Sequence, residues 1–262
     1  MEESQRFTLE SKHNMRNKQY PYRPFVHTSM RIIVICILVS FNSWAQRQKP
    51  ENYRRFDEKL LHFGFMLGGN SSDYTVFQEL NTFEKYGLKS LTHQSAPGGQ
   101  LGIVTTMKLG TPVVRLRFIP TLSFQERVLT YNFYVNDTTD FINTERVSST
   151  NLDFPLMLQF RTLRVNNFAS YFLLGGQYTL DLQSQQNASQ SFTDPFIKQK
   201  RNDWHGQLGV GVEFFAPYFK FGMEVKYSHS FQNSFIKDNA VIADPISRLY
   251  NKVWWFSLIF EG

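Results

Sequence analysis

Residues 204–232 read WHGQLGVGVEFFAPYFKFGMEVKYSHSFQ, and this stretch decides the fold. Two runs in which apolar residues alternate with polar or small ones flank a short interruption at residues 216–217. The first run alternates Leu208, Val210, Val212 and Phe214 with Gln207, Gly209, Gly211 and Glu213. The second alternates Phe219, Phe221, Met223, Val225 and Tyr227 with Lys220, Gly222, Glu224, Lys226 and Ser228. Alternation of this length predicts two β-strands, each with two different faces, joined as a hairpin.

The length of the connecting loop sets the predicted pairing of this hairpin. If the loop has only two residues, Phe214 lies opposite Phe219 and Glu213 lies opposite Lys220. All large apolar groups then share one face, and the polar face gains a pair of opposite charges. This register is a hypothesis, because Pro217 does not suit the primed turns that usually close two-residue hairpins.

The two faces differ in volume, and the difference predicts which one is inside. A sheet of about eight strands closed on itself has an interior just wide enough for side chains to fill. The face that carries glycine, serine and glutamine fits such an interior, and the face that carries phenylalanine, leucine, tyrosine and methionine fits outside. A bulky apolar exterior is tolerable only against lipid, so the hairpin predicts a transmembrane β-barrel.

The same alternation recurs through the rest of the chain and predicts eight strands. The predicted strands are residues 60–69, 98–109, 113–127, 147–162 and 168–182, the two strands of the hairpin, and 250–261. Pro120 predicts a bulge in the third strand, because proline donates no ladder hydrogen bond. Long polar loops, among them 70–97 and 128–146, alternate with short turns. We therefore predict an all-β, eight-stranded antiparallel transmembrane β-barrel with short periplasmic turns and long extracellular loops.

The alternation also predicts which side chains face lipid and which face the lumen. The predicted lipid-facing residues are Phe154, Leu156, Leu158, Phe219, Phe221, Trp254, Phe256, Leu258 and Phe260. The predicted lumen charges are Arg115, Arg117, Arg127, Asp153, Arg161, Asp181, Glu213, Lys220, Glu224 and Lys226. Because buried charges must be paired, we expect a neutralising network that fills the lumen. A selective pore or a buried active site is the alternative use of these charges, and a β-sandwich is the alternative fold.

A targeting segment precedes the first strand. Arg31 is followed by an apolar run and by Ser43-Trp44-Ala45-Gln46, which is typical of a signal peptide cleaved between Ala45 and Gln46. The polar stretch before Met30 favours Met30 over Met1 as the initiator. The predicted parts are an N-terminal extension and signal peptide at 1–45, a periplasmic tail at 46–59 and the barrel at 60–262. We accordingly expect an exported protein of the bacterial outer membrane.

Composition narrows the classes of function. The chain is 16% aromatic, which is a high fraction for a soluble domain, and 19% charged, which is a low fraction. A formal net charge of +6 without a basic run gives no reason to expect nucleic-acid binding. The single cysteine, Cys36, falls within the predicted signal peptide, so the mature chain would have no disulfide and no cysteine ligand for a metal.

The residues that could carry chemistry are scattered. His62, His93, His205 and His229 lie on separate predicted strands or loops. The serines beside His229 point to the face opposite to it, because neighbouring residues of a strand alternate. No phosphate-binding glycine loop or metal-ligand spacing is present in the sequence. We expect no catalytic, cofactor-binding or metal-binding residue, no cofactor and no small-molecule substrate.

Three short motifs occur in order along residues 55–262. They are His62-Phe63-Gly64-Phe65, Leu152-Asp153-Phe154-Pro155-Leu156, and Pro217-Tyr218-Phe219-Lys220 continued by Glu224-Val225-Lys226. Together with the strand order and the aromatic last strand, they resemble the PorT family of outer-membrane β-barrel proteins from Bacteroidota. The resemblance implies a component of the type IX secretion system, which exports large proteins that carry a C-terminal signal.

The predicted lumen limits the role that this resemblance implies. An eight-stranded barrel filled by side chains cannot pass a folded protein. The expected function is therefore that of a non-enzymatic assembly or accessory factor, whose partners are outer-membrane lipid and other type IX components. The alternatives are a general small outer-membrane barrel with a structural or surface-binding role, and a small channel.

Overall fold

A computed structural model describes residues 52–136, 139–184, 197–238 and 242–262. The predicted signal peptide, its cleavage site at Ala45 and Gln46, and residues 46–51 of the predicted tail lie outside the described residues. The strands are β1 (Leu61–Gln78), β2 (Leu88–Lys108), β3 (Val114–Phe118), β4 (Thr121–Asn136), β5 (Thr139–Arg161), β6 (Phe168–Asp181), β7 (Asn202–Phe215), β8 (Lys220–Ser230) and β9 (Ile246–Glu261). A 3₁₀ helix at Arg54–Asp57 and the helix α1 at Thr82–Tyr86 accompany them. In these described ranges, no helix is long and apolar enough to span a membrane.

The strands close into an antiparallel ring. β1 pairs with β2 on one side and with β9 on the other, which joins the two ends of the sheet. β3 and β4 both pair with β2 and with β5, so together they occupy one position of the ring. The ring therefore has eight positions, and the predicted eight-stranded antiparallel barrel is confirmed.

The break between β3 and β4 falls at Ile119 and Pro120, where the sequence predicts a bulge. The carbonyl oxygen of Pro120 still accepts a hydrogen bond from the amide of Ile103, at 3.0 Å. The alternation also continues across the break, because Arg117 before it and Thr121 after it are both buried. The proline thus interrupts the ladder without exchanging the two faces.

The bulky face is outside and the slim, charged face is inside. Leu156 and Phe256 are 51% and 53% exposed, whereas Arg115 and Glu224 are 0% and 2% exposed. A β-sandwich requires the reverse arrangement, with the aromatic rows in a central core, so the alternative fold is wrong.

Residues 70–97 and 128–146, predicted as loops, lie mostly in β-strands. β1 and β2 continue above the ring to the turn that holds α1, and β4 and β5 continue to residues 136 and 139. Above the ring, residues 88–95 of β2 pair with β4, and β4 in turn pairs with residues 139–147 of β5. We call this three-stranded sheet the blade. β9 likewise begins at Ile246, four residues before its predicted start.

The sequence pattern did not predict the blade because the apolar side chains change from the outer face of the strands to the inner face above the ring. Within the ring, Phe124 of β4 is outward and exposed, and Ser123 is buried. Higher on the same strand, Leu129 and Tyr131 are buried while Thr130 lies on the outer side. Their apolar side chains join a cluster that caps the lumen, formed by Tyr74, Leu88, Leu91, Leu129, Tyr131, Ile197, Phe235, Ile242, Ala243, Ile246 and Leu249. An apolar inside and a polar outside are what a strand in water requires.

The register predicted for the β7–β8 hairpin is wrong by two residues. Its loop has four residues, and Phe214 lies opposite Phe221 instead of Phe219. Glu213 is displaced by the same amount from its predicted partner Lys220. The reason is the proline in the loop, whose fixed negative φ excludes the positive φ values that a two-residue primed turn needs.

Candidate functional site

The lumen near the short turns holds a network of buried ion pairs. Its members are Arg115 and Arg117 on β3, Arg161 on β5, Glu213 on β7, Lys220, Glu224 and Lys226 on β8, and Glu261 on β9. Each is at most 4% exposed, because the alternation places all of them on the inner face. This set contains every predicted lumen charge except Arg127, Asp153 and Asp181, which lie higher in the barrel.

Arg117 is the centre of this network. Its guanidinium contacts Glu224 and lies 3.1 Å from Glu261 and 3.6 Å from Glu213. The ammonium group of Lys220 lies 2.9 Å from Glu213 and 2.5 Å from Glu261. Each of these three carboxylates therefore has a cation in contact, as buried charges require. Glu261 was missed in the sequence, although it continues the inward row of the last strand.

Asp57, from the predicted tail, completes the network at the short-turn end. Arg115 and Arg161 each donate a hydrogen bond of 2.6 Å to its carboxylate. Burial alone would raise the pKa of Asp57, but the hydrogen bond and charge of Arg161, together with those of Arg115, outweigh burial and lower it. Residues 52–59 are thus held against the barrel by ion pairs.

Phe56 closes the same end of the lumen. Its side chain is 0% exposed, and its ring stacks on that of His62 with 3.7 Å between centroids. The ammonium group of Lys220 lies 4.7 Å from the centre of the ring, and the edge of Phe215 packs against it. A phenylalanine within the polar run RRFDEK is the one sequence signal that could have indicated this contact.

Above the ion pairs, the lumen is filled by apolar side chains and then by hydrogen-bonded polar ones. The apolar layer consists of Met66, Val104, Ile119 and Ile259, with Met157, Tyr171 and Leu173 beside it. Asp153 lies above this layer and accepts hydrogen bonds from Ser123, Gln177 and Thr179, each at 2.7 Å. Arg127 lies higher still, where it donates to Ser149 at 3.0 Å.

Asp203 is the second buried carboxylate, after Glu261, that the sequence analysis did not predict. It accepts hydrogen bonds from Ser230 at 2.6 Å, Ser234 at 2.9 Å and Asn251 at 2.8 Å, and His205 lies 3.2 Å away. The serine and the histidine therefore contact the same carboxylate, and neither activates the other. A nucleophile needs a base within hydrogen-bond reach, so this cluster has the geometry of a structural network.

The other three histidines are also apart from one another. His62 lies under Phe56, His93 contacts Asp73 at 2.9 Å on the outer rim, and His229 lies on the outer wall beside aromatic rings. Among the described residues, no group of histidine, cysteine and carboxylate side chains has the arrangement of a metal site.

Two small cavities lie in the described lumen. One cavity of about 20 Å³ lies beside Arg127 and Asp203, and another of about 10 Å³ lies beside Asp153. Each has about the size that a single water molecule needs.

The buried charges of the lumen balance in number. The cations are Arg115, Arg117, Arg127, Arg161, Lys220 and Lys226, and the anions are the buried Asp153, Asp203, Glu213, Glu224 and Glu261 together with Asp57. Asp181, also predicted in the lumen, is half-buried at the upper rim.

The outer wall of the ring is an apolar surface. Among the predicted lipid-facing residues, Leu156, Leu158, Phe219, Trp254, Phe256 and Leu258 are exposed, and Phe154, Phe221 and Phe260 are half-buried. Aromatic pairs stand at the upper edge of this surface, with 4.9 Å between the rings of Tyr178 and Trp204 and the same distance between those of Tyr227 and Trp254.

The blade presents a second exposed apolar surface at its far end. Leu80, Phe83, Val135, Phe141 and Ile142 are between 53% and 83% exposed. The ring of Phe83 contacts that of Tyr134 at 5.9 Å, which joins α1 to the end of β4. We call these six residues the tip patch. Polar residues on the outer side of the blade, including Thr92, Thr130, Thr144, Arg146 and Ser148, separate the tip patch from the apolar wall of the ring.

Comparison with known proteins gives one family. Residues 44–236 match the family described as outer membrane protein beta-barrel domain. A search of the curated proteins found no match.

The solved structures that resemble this chain include those of three bacterial proteins. The outer membrane protein OprG from Pseudomonas aeruginosa is 15% identical, with 82% of this chain and 98% of that chain covered and a TM-score of 0.44. Neisserial surface protein A is 9% identical, with 75% and 95% covered and a TM-score of 0.36. Ail, the attachment invasion locus protein of Yersinia pestis, solved with the heparin analogue sucrose octasulfate, is 11% identical, with 78% and 100% covered and a TM-score of 0.33.

Proposed function

The chain belongs to the outer membrane protein beta-barrel domain family, and from this premise we propose that it is a non-enzymatic assembly or accessory component of type IX protein secretion, like PorT. In this proposal the outer membrane holds the ring, the short turns and residues 52–59 face the periplasm, and the blade stands outside the cell. Other secretion components would contact the blade, the rim or the lipid-facing wall.

The filled lumen is the observation that carries this proposal. Phe56 and Asp57 close one end, and the apolar cap closes the other. Ion pairs, an apolar layer and hydrogen-bonded polar side chains fill the space between them. A protein in export cannot share that space, so a secretion role must be exercised through outer surfaces. The interior has the character of a self-neutralising plug, which is why we assign the predicted lumen charges to stability and not to transport or catalysis.

The outer surfaces support a position in which the ring lies in the membrane and the blade lies in water. The apolar wall that includes Leu156 and Phe256 suits acyl chains, and the aromatic pairs with Trp204 and Trp254 suit the interface of a bilayer. Above these rings the outer side becomes polar, beginning with Lys252, whose ammonium group lies 3.0 Å from a carboxylate oxygen of Asp73. The resemblance of three ordered motifs to PorT supports the finer assignment to type IX secretion.

Deletion of the gene tests the secretion role. We expect proteins that carry the type IX C-terminal signal to accumulate in the periplasm of the deletion strain and to be exported again when the gene is restored. A complementing variant with Phe141→Ser and Ile142→Ser should restore less export at equal barrel abundance, whereas the matched variant with Thr144→Ser on the blade flank should restore it fully. Normal export in a clean deletion strain would defeat the proposal.

The exposed tip patch favours a second candidate function, a general small barrel with a structural or surface-binding role. A contiguous apolar patch on a surface in water commonly marks an interaction site. This role predicts that the Phe141→Ser and Ile142→Ser variant loses adhesion or ligand binding while export in the deletion strain stays normal.

A further inference from the structure

One edge of the blade has no strand beside it. β2 pairs with β1 from Met107 to Ala96, opposite Leu61 to Ser72, and above this point residues 88–95 pair only with β4. β1 pairs with β9 along its other side from Gly64 to Gln78, and above Ser72 this pairing continues without β2. Within the described residues, the two strands therefore separate above the ring and leave the outer edge of β2 without backbone partners. We call residues 90–95 the β2 edge.

In the part of the chain that the structure describes, side chains cross the gap between the separated strands. His93 contacts Asp73 at 2.9 Å, and the side-chain amide of Gln78 donates to the carbonyl oxygen of Leu91 at 3.5 Å. Ser90, Thr92, His93, Gln94 and Ser95 are all exposed, and Leu91 is buried on the side of the apolar cap. An incoming strand would thus displace two side-chain contacts and break no ladder of the sheet.

The two edges of the blade differ in the features that prevent strand pairing. The β5 edge carries Asp140, Glu145 and Arg146, and charged residues are a common device that keeps an edge from pairing with another chain. The β2 edge reads SLTHQS and contains no lysine, arginine, carboxylate or proline. Lys89, just before it, is held in an ion pair of 2.5 Å with Asp140. Within the described residues, the β2 edge therefore lacks the charged residues that discourage pairing at the β5 edge.

We propose that the β2 edge is a strand-addition site that binds an extended segment of another protein. The unpaired amide and carbonyl groups of β2 supply the affinity, and the different surroundings on the two faces of the edge supply the selectivity for side chains. A matching segment alternates apolar residues, packed toward Leu91 and the cap, with polar residues directed outward beside Thr92. This site depends on the blade alone, so its failure would leave the secretion role untouched, and the reverse also holds.

Peptide binding to the full chain, refolded in detergent micelles, tests this site. The probe is a fluorescein-labelled peptide of alternating threonine and valine with a lysine at each end. The control peptide carries the same side chains and is methylated at every peptide nitrogen, so that it cannot donate ladder hydrogen bonds. The protein variants are Thr92→Lys on the β2 edge and Thr130→Lys, its cross-strand neighbour on the middle strand, which adds the same charge away from the edge.

We expect saturable binding of the probe, with a loss of at least tenfold for the methylated peptide and for Thr92→Lys, and a change below twofold for Thr130→Lys. Hydrogen exchange of the wild-type chain should show that the probe protects amides of residues 90–95, which locates the site even if Thr92→Lys does not fold. Absence of saturable binding, equal binding of the methylated peptide, equal loss in both lysine variants, or protection elsewhere would each overturn the proposal.

Discussion

Replacing Arg117 by methionine tests whether the charges of the lumen are a structural plug. The side chain is 1% exposed and contacts Glu224, Glu261 and Glu213. Methionine keeps much of the length and the apolar stem of arginine but removes its charge and its hydrogen-bond donors. The three carboxylates then share Lys220 and the neighbouring cations as their remaining partners.

The expected cost follows from the burial of these groups. Removing one partner of a buried ion pair costs about 3–5 kcal/mol, because the other partner stays buried without compensation. Lys220 remains 2.9 Å from Glu213 and 2.5 Å from Glu261, so we expect the lower end, about 3 kcal/mol. Adding Glu224→Gln to Arg117→Met should recover at least about 1 kcal/mol, since it removes the carboxylate that loses most.

Urea-induced unfolding in phospholipid vesicles, followed by tryptophan fluorescence, measures these differences. The matched control is Arg146→Met, since Arg146 pairs with Glu126 at 2.8 Å but has a side chain that is 70% exposed. An exposed pair of this kind contributes at most about 1 kcal/mol. A cost below about 1 kcal/mol for Arg117→Met, or a double variant less stable than the single one, would refute the plug.

Three further results follow from the same structure. Asp57→Asn should destabilise the barrel at neutral pH. Because the folded pKa of Asp57 is lowered, its contribution should persist above the unfolded value of about 3.9 and fade as the pH falls further, so wild type and variant should converge in urea titrations at low pH. Leu158→Arg on the apolar wall should cost about 2–4 kcal/mol in vesicles, whereas Thr144→Arg on the blade should change stability by less than about 0.5 kcal/mol; equal costs would place both residues in the same environment. Planar-bilayer recording of the wild-type barrel should show no stepwise conductance, and a regular single-channel step would show that the lumen is open.

The part of the fold that faces lipid could be predicted from the sequence because lipid imposes a simple rule. Every residue in the outward row of β9 from Trp254 to Phe260 must be apolar, so the period of two is easy to detect. The bulge at Pro120 and the inward placement of Arg115 and Glu224 follow from the same periodicity and the chemistry of proline.

The blade could not be predicted in this way because water reverses the rule. Thr130 lies on the outer side above the ring and Leu129 is buried, so the apolar row changes faces between Phe124 and Leu129. A window that spans the change finds no consistent alternation and indicates a loop. The inversion is itself a signal, and a search for it would have indicated strands there.

The contacts that close the short-turn end are beyond local patterns. Asp57 is 58 residues from Arg115 and 104 residues from Arg161 along the chain. No periodicity links positions that far apart, and the 3₁₀ helix that carries Asp57 is too short to show one of its own. Glu261 differs in this respect, since it lies in the inward row of the predicted last strand. Asp203 lies one residue before the predicted hairpin and continues the inward row of its first strand.

The assignment of the bulky face to lipid is tested most directly by where the lipid contact of a strand begins and ends. Nitroxide labels placed one at a time along β9, in a Cys36→Ser background in vesicles, report this through their accessibility to oxygen and to a water-soluble nickel complex. We expect labels at Phe256 and Leu258 to favour oxygen, the label at Ser257 to be shielded from both, and the label at Arg248 to favour the nickel complex. Labels at Phe256 and Leu258 that are shielded from oxygen, beside one at Ser257 that is open to it, would contradict the assignment of the bulky face to lipid.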